Sequence, residues 1–249
     1  NVRVNKKNSK EFLMKVAELI ACGTGQPSVH FDEAAMEMLR KSGVAEEDLW
    51  DYGLVGCVSP QMPGQTTQWN EGARYCYPTA VDWALFNGYC HALNRQMGLK
   101  TGDPRSFKTY EEFEAATKAQ MEYLVGAACR SSQITERAQQ IRLPKPFRSC
   151  CVEGPIESGL DIMFQGSSKY FAGPGLLVTG IADFADSMAA VKKLVYEEKK
   201  ISMDILINAL EKDFEGYDEI RQMLIKDAPK YGNDIPYVDE IARDFVQFS

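Results

Sequence analysis

Histidine is scarce in this chain, and no two cysteines stand in a C-x-x-C arrangement. The 249 residues include two histidines and seven cysteines, and seven is an odd number. These counts argue against a histidine-rich metal centre, a zinc site built on cysteine pairs and a framework of disulfide bonds. We therefore predict no metal ion, and we expect a reducing compartment, the cytoplasm.

Excess positive charge and long apolar runs are also missing. The net charge of −7 gives no reason to expect nucleic acid or an anionic membrane as a partner. No apolar run is long enough to span a bilayer, and the first residues do not resemble a secretory leader. The chain is 45% hydrophobic, which is enough for one sizeable core or two small ones.

Helical periodicity is present over much of the chain. Apolar spacing, capping residues and glycine or proline stops predict helices at 8–22, 32–41, 79–97, 109–128, 183–199, 203–214, 218–226 and 237–248. Short strands are predicted at 27–31 and 176–181. The second strand is apolar throughout and leads almost directly into a helix, as a strand buried on both faces of an α/β sheet or barrel does.

The segment 51–60 is predicted to be a buried strand that runs into a stiff loop. The loop carries Cys57 between Gly56 and a Ser-Pro turn, an arrangement that positions a thiol. A buried structural cysteine is the commoner fate of a lone cysteine after an apolar run. A thiol hydrolase that pairs Cys57 with His30 or His91 is a further alternative, but the sequence lacks the local signature of that class.

The segment Gly56–Pro60 resembles the cysteine finger loop of the glycyl radical enzymes, the pyruvate formate-lyase-like superfamily. Other segments resemble the family in the same order, namely Thr24–Ser28, Thr101–Arg105, Gly173–Lys200 and Lys230–Asp234. The resemblance implies an α/β fold: a segment of the family's ten-stranded barrel, with the finger loop inside and helices around it. Residues 1–249 would be a single piece, the central, cysteine-bearing part of a larger catalytic domain.

The resemblance also implies a radical mechanism. Cys57 would become a thiyl radical that takes a hydrogen atom from the substrate, in a dry and closed cavity. The family stores its radical on a glycine in an Arg-Val-x-Gly-Tyr loop, which this chain lacks. We therefore expect no bound cofactor here, a protein-based glycyl radical outside this chain and a radical SAM activating enzyme. The remainder of the enzyme and a homo-oligomeric assembly are further expected partners.

Two residues beside the cysteine bear on the reaction. In several branches of the family a glutamate stands two positions after the cysteine and moves protons, whereas this chain has Ser59. Ser59 therefore weighs against dehydration and C–N cleavage. Pyruvate formate-lyase has two adjacent cysteines at this loop, so Gly56 excludes its acyl transfer. The pair Cys150 and Cys151 lies in another segment and is interpreted as core packing.

Arg74 resembles an arginine that holds a substrate carboxylate in the family. A guanidinium offers a planar fork to a carboxylate, although Arg74 could equally be a solvated residue paired with Glu71 at a helix start. Ser59, Gln61 and Trp69 are further candidates for substrate binding. Trp69 could form an apolar wall for a hydrocarbon or simply belong to the core.

These features lead to one hypothesis for the reaction and two alternatives. The first is thiyl-radical addition of a hydrocarbon to fumarate, giving a substituted succinate, as in the family's alkylsuccinate and benzylsuccinate synthases. Homolytic addition needs no acid–base residue at position 59. The alternatives are an arylacetate decarboxylase or other carbon–carbon lyase, and a non-catalytic homologue or assembly partner.

Overall fold

A computed structural model describes residues 1–56, 58–66, 71–170, 173 and 175–249. These residues form two compact units, each discontinuous in sequence. The first unit comprises Asn1–Gly72 and Ser131–Gly175, and the second comprises Ala73–Arg130 and Leu176–Ser249. The treatment of residues 1–249 as one piece of a larger catalytic domain stays a prediction.

Helices and strands are mixed along the chain, in an α/β arrangement. The strands are β1 (Val2–Val4), β2 (Val29–Phe31), β3 (Gly53–Val55), β4 (Ser59–Gln61), β5 (Glu71–Cys76), β6 (Tyr89–Cys90), β7 (Arg95–Gln96) and β8 (Gly175–Thr179). The helices are α1 (Lys10–Ala21), α2 (Asp32–Lys41), α3 (Tyr77–Leu85), α4 (Tyr110–Arg142), α5 (Pro146–Ser149), α6 (Pro155–Ser158), α7 (Ile181–Ala190), α8 (Met203–Glu211), α9 (Asp218–Lys226) and α10 (Pro236–Phe248). A π-helical segment, Val191–Glu197, continues α7.

Within the described ranges the strands pair two by two. β1 and β2 are parallel, β3 with β4 and β6 with β7 are antiparallel, and β5 pairs with β8. No helix in these ranges is long and apolar enough to cross a membrane.

The first unit has a small core in which α2 supports the hairpin of β3 and β4. Its buried members are Ala35, Leu39, Val44, Leu49, Tyr52 and Met62. Ala35 and Leu39 lie one helical turn apart and so share a face of α2. Met62 directly follows β4 and is 1% exposed, which anchors the end of the hairpin in this core.

A buried carboxylate joins the start of α2 to the residue that precedes β3. Asp32, 2% exposed, accepts hydrogen bonds from the Tyr52 hydroxyl (2.6 Å), Asn5 Nδ2 (2.6 Å) and Arg3 Nε (2.7 Å). Arg3 also donates to the main-chain oxygen of Tyr52 at 2.8 Å. Tyr52 is therefore held by its side chain and by its backbone immediately before β3.

The hydrogen bonds of this network shift the pKa values of Asp32 and Tyr52. Burial alone would raise the pKa of Asp32, but the hydrogen bonds from Tyr52, Asn5 and Arg3 outweigh burial and hold that pKa below its usual range. Burial and the bond to Asp32 raise the pKa of Tyr52 to about 12. Asp32 is therefore an ionised acceptor at neutral pH.

The second unit is organised around α7, which packs against α3 and α10. Phe184 of α7 is fully buried, and its ring centroid lies 4.5 Å from that of Phe245 and 5.5 Å from that of Tyr77. Both pairs are edge-to-face, an arrangement that aromatic rings favour. The Tyr77 hydroxyl is 2.6 Å from Ser249 Oγ, so this buried polar group has a partner.

Several helix predictions are confirmed, and two boundaries are wrong. The predicted helices at 32–41 and 218–226 have the observed bounds. The helix predicted at 79–97 ends at Leu85, because Asn87 and Gly88 take positive φ angles of 49° and 80° and a hairpin of β6 and β7 follows. The helix expected to stop near Ala128 continues to Arg142, where Leu143 and a proline follow.

Two predictions of burial are also wrong. β8 is half-buried to exposed rather than buried on both faces, since β5 is its partner among the described strands. Cys150 and Cys151 are exposed at the end of α5 and do not pack in a core.

We predict that Asp32→Asn lowers the free energy of unfolding by about 2–4 kcal/mol, because a neutral amide accepts more weakly and leaves Arg3 without its charge partner. Urea unfolding followed by tryptophan fluorescence measures the change. Asp51→Asn is the matched control, since Asp51 is exposed. Equal stability of the two variants would contradict a structural role for the Asp32 charge.

The same network predicts a dependence on pH. The pKa of Asp32 is lower in the folded than in the unfolded protein, so its stabilising contribution is complete above about pH 4. That contribution is lost as the pH falls through the folded-state pKa. Between pH 5 and pH 2 the wild type should therefore lose more unfolding free energy than Asp32→Asn does, and parallel curves would argue against this linkage.

Candidate functional site

The candidate site is built on β3, β4 and the residues that join them, 53–61, called here the finger hairpin. Val55 pairs with Ser59, Leu54 with Pro60 and Gly53 with Gln61. The strands are joined by residues 56–58, so the pairing brings the two ends of that segment together. Cys57 and Trp69 lie outside the described residues, and their roles stay predictions.

Two glycines permit this local geometry. Gly56 has a φ of 61°, in the left-handed region where a side chain is strained. At the other end of the hairpin Gly53 lies against Pro63, and a Cβ on Gly53 would come within 2.9 Å of Pro63 Cγ. The first glycine allows the tight connection, and the second allows close packing at the base.

Ser59 and Gln61 are both half-buried and, two positions apart on β4, share one face of the strand. Gln61 Oε1 accepts a hydrogen bond from Thr66 Oγ1 at 3.0 Å. The Gln61 amide nitrogen and the Ser59 hydroxyl make no side-chain hydrogen bond to any residue that the structure describes. The finger hairpin therefore presents uncharged hydrogen-bonding groups and no carboxylate of its own.

Arg74 belongs to the second unit, on β5, and its side chain is exposed there. It lies on a strand, so its expected place at a helix start is wrong, whereas its exposure agrees with the alternative of a solvated arginine. Ser59 and Gln61 belong to the first unit. The structure thus brings Ser59 and Gln61 together, and the pairing of either with Arg74 stays a prediction.

The second unit contains a cavity of about 700 Å³ between α3, α7, α8 and α9. Its walls are mainly apolar, with Asp82, His91 and Lys230 among the polar groups. Ser59, Gln61 and Arg74 are not among the described residues that line this cavity.

Comparisons with known proteins agree on one family. A model of the pyruvate formate lyase-like family matches residues 1–249. The trans-4-hydroxy-L-proline dehydratase of Clostridioides difficile is 34% identical over an alignment of 247 residues, which covers 98% of this chain and 30% of that protein. The isethionate sulfite-lyase of Desulfovibrio desulfuricans is 34% identical over an alignment of 253 residues, gaps included, which covers 99% of this chain and 30% of that protein.

A solved structure gives the same result. The glycerol-bound B12-independent glycerol dehydratase from Clostridium butyricum matches with a TM-score of 0.85 and 38% identity, over 99% of this chain and 31% of that one. The chain belongs to the pyruvate formate-lyase-like family of glycyl radical enzymes.

Family membership confirms part of the sequence analysis. The predicted α/β fold matches solved glycyl radical enzyme structures. The chain spans about 30% of the length of the curated relatives it matches. The relatives named above are dehydratases and a sulfite-lyase, and none of them is named for fumarate addition, which stays a proposal.

Sequence reasoning missed the residues that hold the finger hairpin of this glycyl radical enzyme segment. The Tyr52 hydroxyl reaches a carboxylate 20 residues away, and the Tyr170 hydroxyl reaches Asp48, 122 residues away. Neither contact belongs to a local motif. Only covariation between the partners in related sequences could have indicated them beforehand.

We predict that Gly56→Ala destabilises the enzyme by about 1–2 kcal/mol, because its φ of 61° is unfavourable for a residue with a Cβ. Gly56→Asn should cost less, since asparagine tolerates the left-handed region better than alanine. Urea unfolding of both variants gives the order. If alanine is as stable as glycine at this position, the left-handed conformation is not required.

Proposed function

We propose that the enzyme carrying this chain is a glycyl radical lyase in which Cys57 takes a hydrogen atom from a small substrate. The observation that carries the proposal is the finger hairpin within a chain that matches the family over its whole length. Pairing of Val55 with Ser59 fixes both ends of the segment that contains Cys57.

In the proposed chemistry Cys57 gives and takes hydrogen atoms in a fixed order. Cys57 would first give the hydrogen atom of its thiol to the radical glycine, which is expected outside this chain, and the unpaired electron would then lie on its sulfur. The Cys57 sulfur then takes a hydrogen atom from a substrate carbon, so that an S–H bond forms and a C–H bond breaks. After the substrate radical has reacted, Cys57 returns the hydrogen atom to the product and is again a sulfur radical.

Elimination of a substituent is the first candidate for the step between these two transfers. The relatives that are 34% identical are a dehydratase and a sulfite-lyase, which supports elimination from a small polar substrate. Ser59 cannot act as a general base near neutral pH. An elimination would therefore use a proton-transfer group other than residue 59.

Addition of a hydrocarbon to fumarate is the second candidate, and Ser59 is the observation that favours it. Homolytic addition transfers no proton, so an uncharged hydroxyl at this position is sufficient. Arg74 would bind a fumarate carboxylate. An arylacetate decarboxylase or another carbon–carbon lyase is the remaining alternative, and Cys57 would return a hydrogen atom to its product as well.

A substrate panel separates these reactions. The activated enzyme is incubated with trans-4-hydroxy-L-proline, isethionate or glycerol, and in parallel with toluene or hexane plus fumarate. Formation of the dehydrated product or release of sulfite supports elimination, whereas formation of a substituted succinate supports addition. Absence of a glycyl radical signal after treatment with the activating enzyme would favour a non-catalytic homologue.

The proposal also includes an activating enzyme, an assembly and a cellular location. We propose a radical SAM enzyme as the activator, a homo-oligomer as the assembly and the cytoplasm as the location. The reason for the location is chemical, because an oxidising compartment would convert free cysteines such as Cys150 and Cys151 to disulfides.

We predict that Cys57→Ser abolishes turnover but leaves the glycyl radical signal in electron paramagnetic resonance intact. An O–H bond is stronger than an S–H bond, so serine cannot pass the radical to substrate at a workable barrier. Cys150→Ser is the matched control and should turn over normally, since Cys150 is exposed and outside the finger hairpin. Turnover of Cys57→Ser near the wild-type rate would mean that another residue is the relay.

For the fumarate candidate we predict that Arg74→Lys is almost as damaging as Arg74→Ala. Lysine keeps the charge but loses the planar fork. If the complete enzyme closes the site around Arg74, loss of the charge-assisted contact should cost about 2–4 kcal/mol, or about 1.5 to 3 decades in kcat/KM for fumarate. Arg95→Ala on the exposed β7 is the control. An unchanged fumarate kcat/KM in both Arg74 variants would remove Arg74 from the site.

A further inference from the structure

The chain that leaves the finger hairpin is tied to Tyr170. The main-chain nitrogen of Tyr170 donates to the Gln65 carbonyl at 2.8 Å, and Thr66 forms a parallel bridge with Tyr170. Thr66 is 2% exposed, and its hydroxyl donates to Gln61 Oε1 (3.0 Å) or to the Met62 carbonyl (3.1 Å). The backbone of Tyr170 therefore holds the exit from the hairpin.

The side chain of Tyr170 holds the entrance. Its hydroxyl donates to Asp48 Oδ2 at 2.6 Å and accepts from the Ala45 main-chain nitrogen at 3.1 Å. Asp48 directly precedes the 3₁₀ turn Leu49–Asp51, and Tyr52 and β3 follow that turn. One residue thus contacts the chain on both sides of the finger hairpin.

The Tyr170 hydroxyl bond has a charged acceptor. Asp48 also pairs with Lys169 Nζ at 2.9 Å, and the Asp48 side chain is 17% exposed. The bond from Tyr170 lowers the pKa of Asp48, and the same bond raises the pKa of Tyr170. At neutral pH the hydroxyl is therefore a donor to a carboxylate, which is among the stronger kinds of hydrogen bond.

We propose that Tyr170 is a positioning residue that fixes the position of Cys57. It does so by contacting the chain on both sides of the finger hairpin, an arrangement called the clamp here. The inference rests on the proposed function, because it assumes that Cys57 exchanges hydrogen atoms with the radical glycine and the substrate. Such transfers require close approach of the reacting atoms. A misplacement of about 1 Å can slow a positioned reaction by about 100-fold.

A measurement without substrate tests the clamp. The activated, complete enzyme is moved into D₂O, where the thiol of Cys57 becomes S–D. Cys57 gives this deuterium to the glycyl carbon and then takes back that carbon's original hydrogen, so the glycyl radical becomes deuterated. The doublet in the electron paramagnetic resonance spectrum collapses to a singlet, and its rate reports transfer between sulfur and glycine.

We expect Tyr170→Phe to slow this collapse by about 10- to 100-fold, with the same amount of glycyl radical. Phenylalanine keeps the ring and the main-chain bond but removes both hydroxyl contacts. Tyr231→Phe is the matched control and should exchange at the wild-type rate, since Tyr231 is 42% exposed and belongs to the second unit. A wild-type rate in Tyr170→Phe would overturn the proposal.

Variants of Asp48 test the clamp without changing Tyr170. Asp48→Ala removes the acceptor and should slow exchange, whereas Asp48→Asn keeps an acceptor oxygen and should recover most of the rate. Amide hydrogen exchange of peptides from 45–55, measured before activation, should rise in Tyr170→Phe and Asp48→Ala but not in Asp48→Asn. Wild-type behaviour of Asp48→Ala in both measurements would overturn the clamp.

Cys57→Ser separates this inference from the proposed function. Serine should abolish the collapse of the doublet, and a normal collapse would remove Cys57 as the relay. If collapse is lost in Cys57→Ser but normal in Tyr170→Phe, the proposed function stands and the clamp alone is wrong.

Discussion

The buried charge of Asp32 is the constraint on which the first unit depends. A carboxylate that is 2% exposed is costly unless donors surround it, and here Tyr52, Asn5 and Arg3 supply three hydrogen bonds. Asp32 is also the first residue of α2, where the helix dipole favours negative charge. The hydrogen bonds to Asp32 therefore fix the relative positions of β1, α2 and the residue before β3.

The finger hairpin takes its geometry from these anchors rather than from its own strands. β3 and β4 have three residues each, and an isolated hairpin of this length is at best marginally stable. Tyr52 holds the hairpin before β3, and Met62 and Thr66 hold it after β4, both nearly inaccessible to solvent. A short loop with two fixed ends has few conformations left.

Sequence patterns predicted correctly those elements whose bounds depend on residues close to one another in the chain. The helix 32–41 has acidic residues in its first turn and basic residues in its last, and its bounds were predicted correctly. The loop after α3 was missed because its conformation depends on Gln120, a fully buried side chain that bonds to both the nitrogen and the oxygen of Leu99. Gln120 lies on α4, and nothing near Leu99 in the sequence indicates that contact.

In the candidate site, too, the contacts between residues distant in sequence were not predicted, and they restrict which residues can transfer protons in the reaction. The glycine and cysteine of the finger loop were recognisable from the sequence, but the carboxylates that hold the loop were not. Asp32 and Asp48 both accept hydrogen bonds that lower their pKa values, so each is a weak base committed to structure. Neither can replace the glutamate that Ser59 lacks without releasing the hairpin it holds. A reaction that needs a proton relay must therefore draw it from outside this network, whereas homolytic steps at Cys57 need only the loop's position.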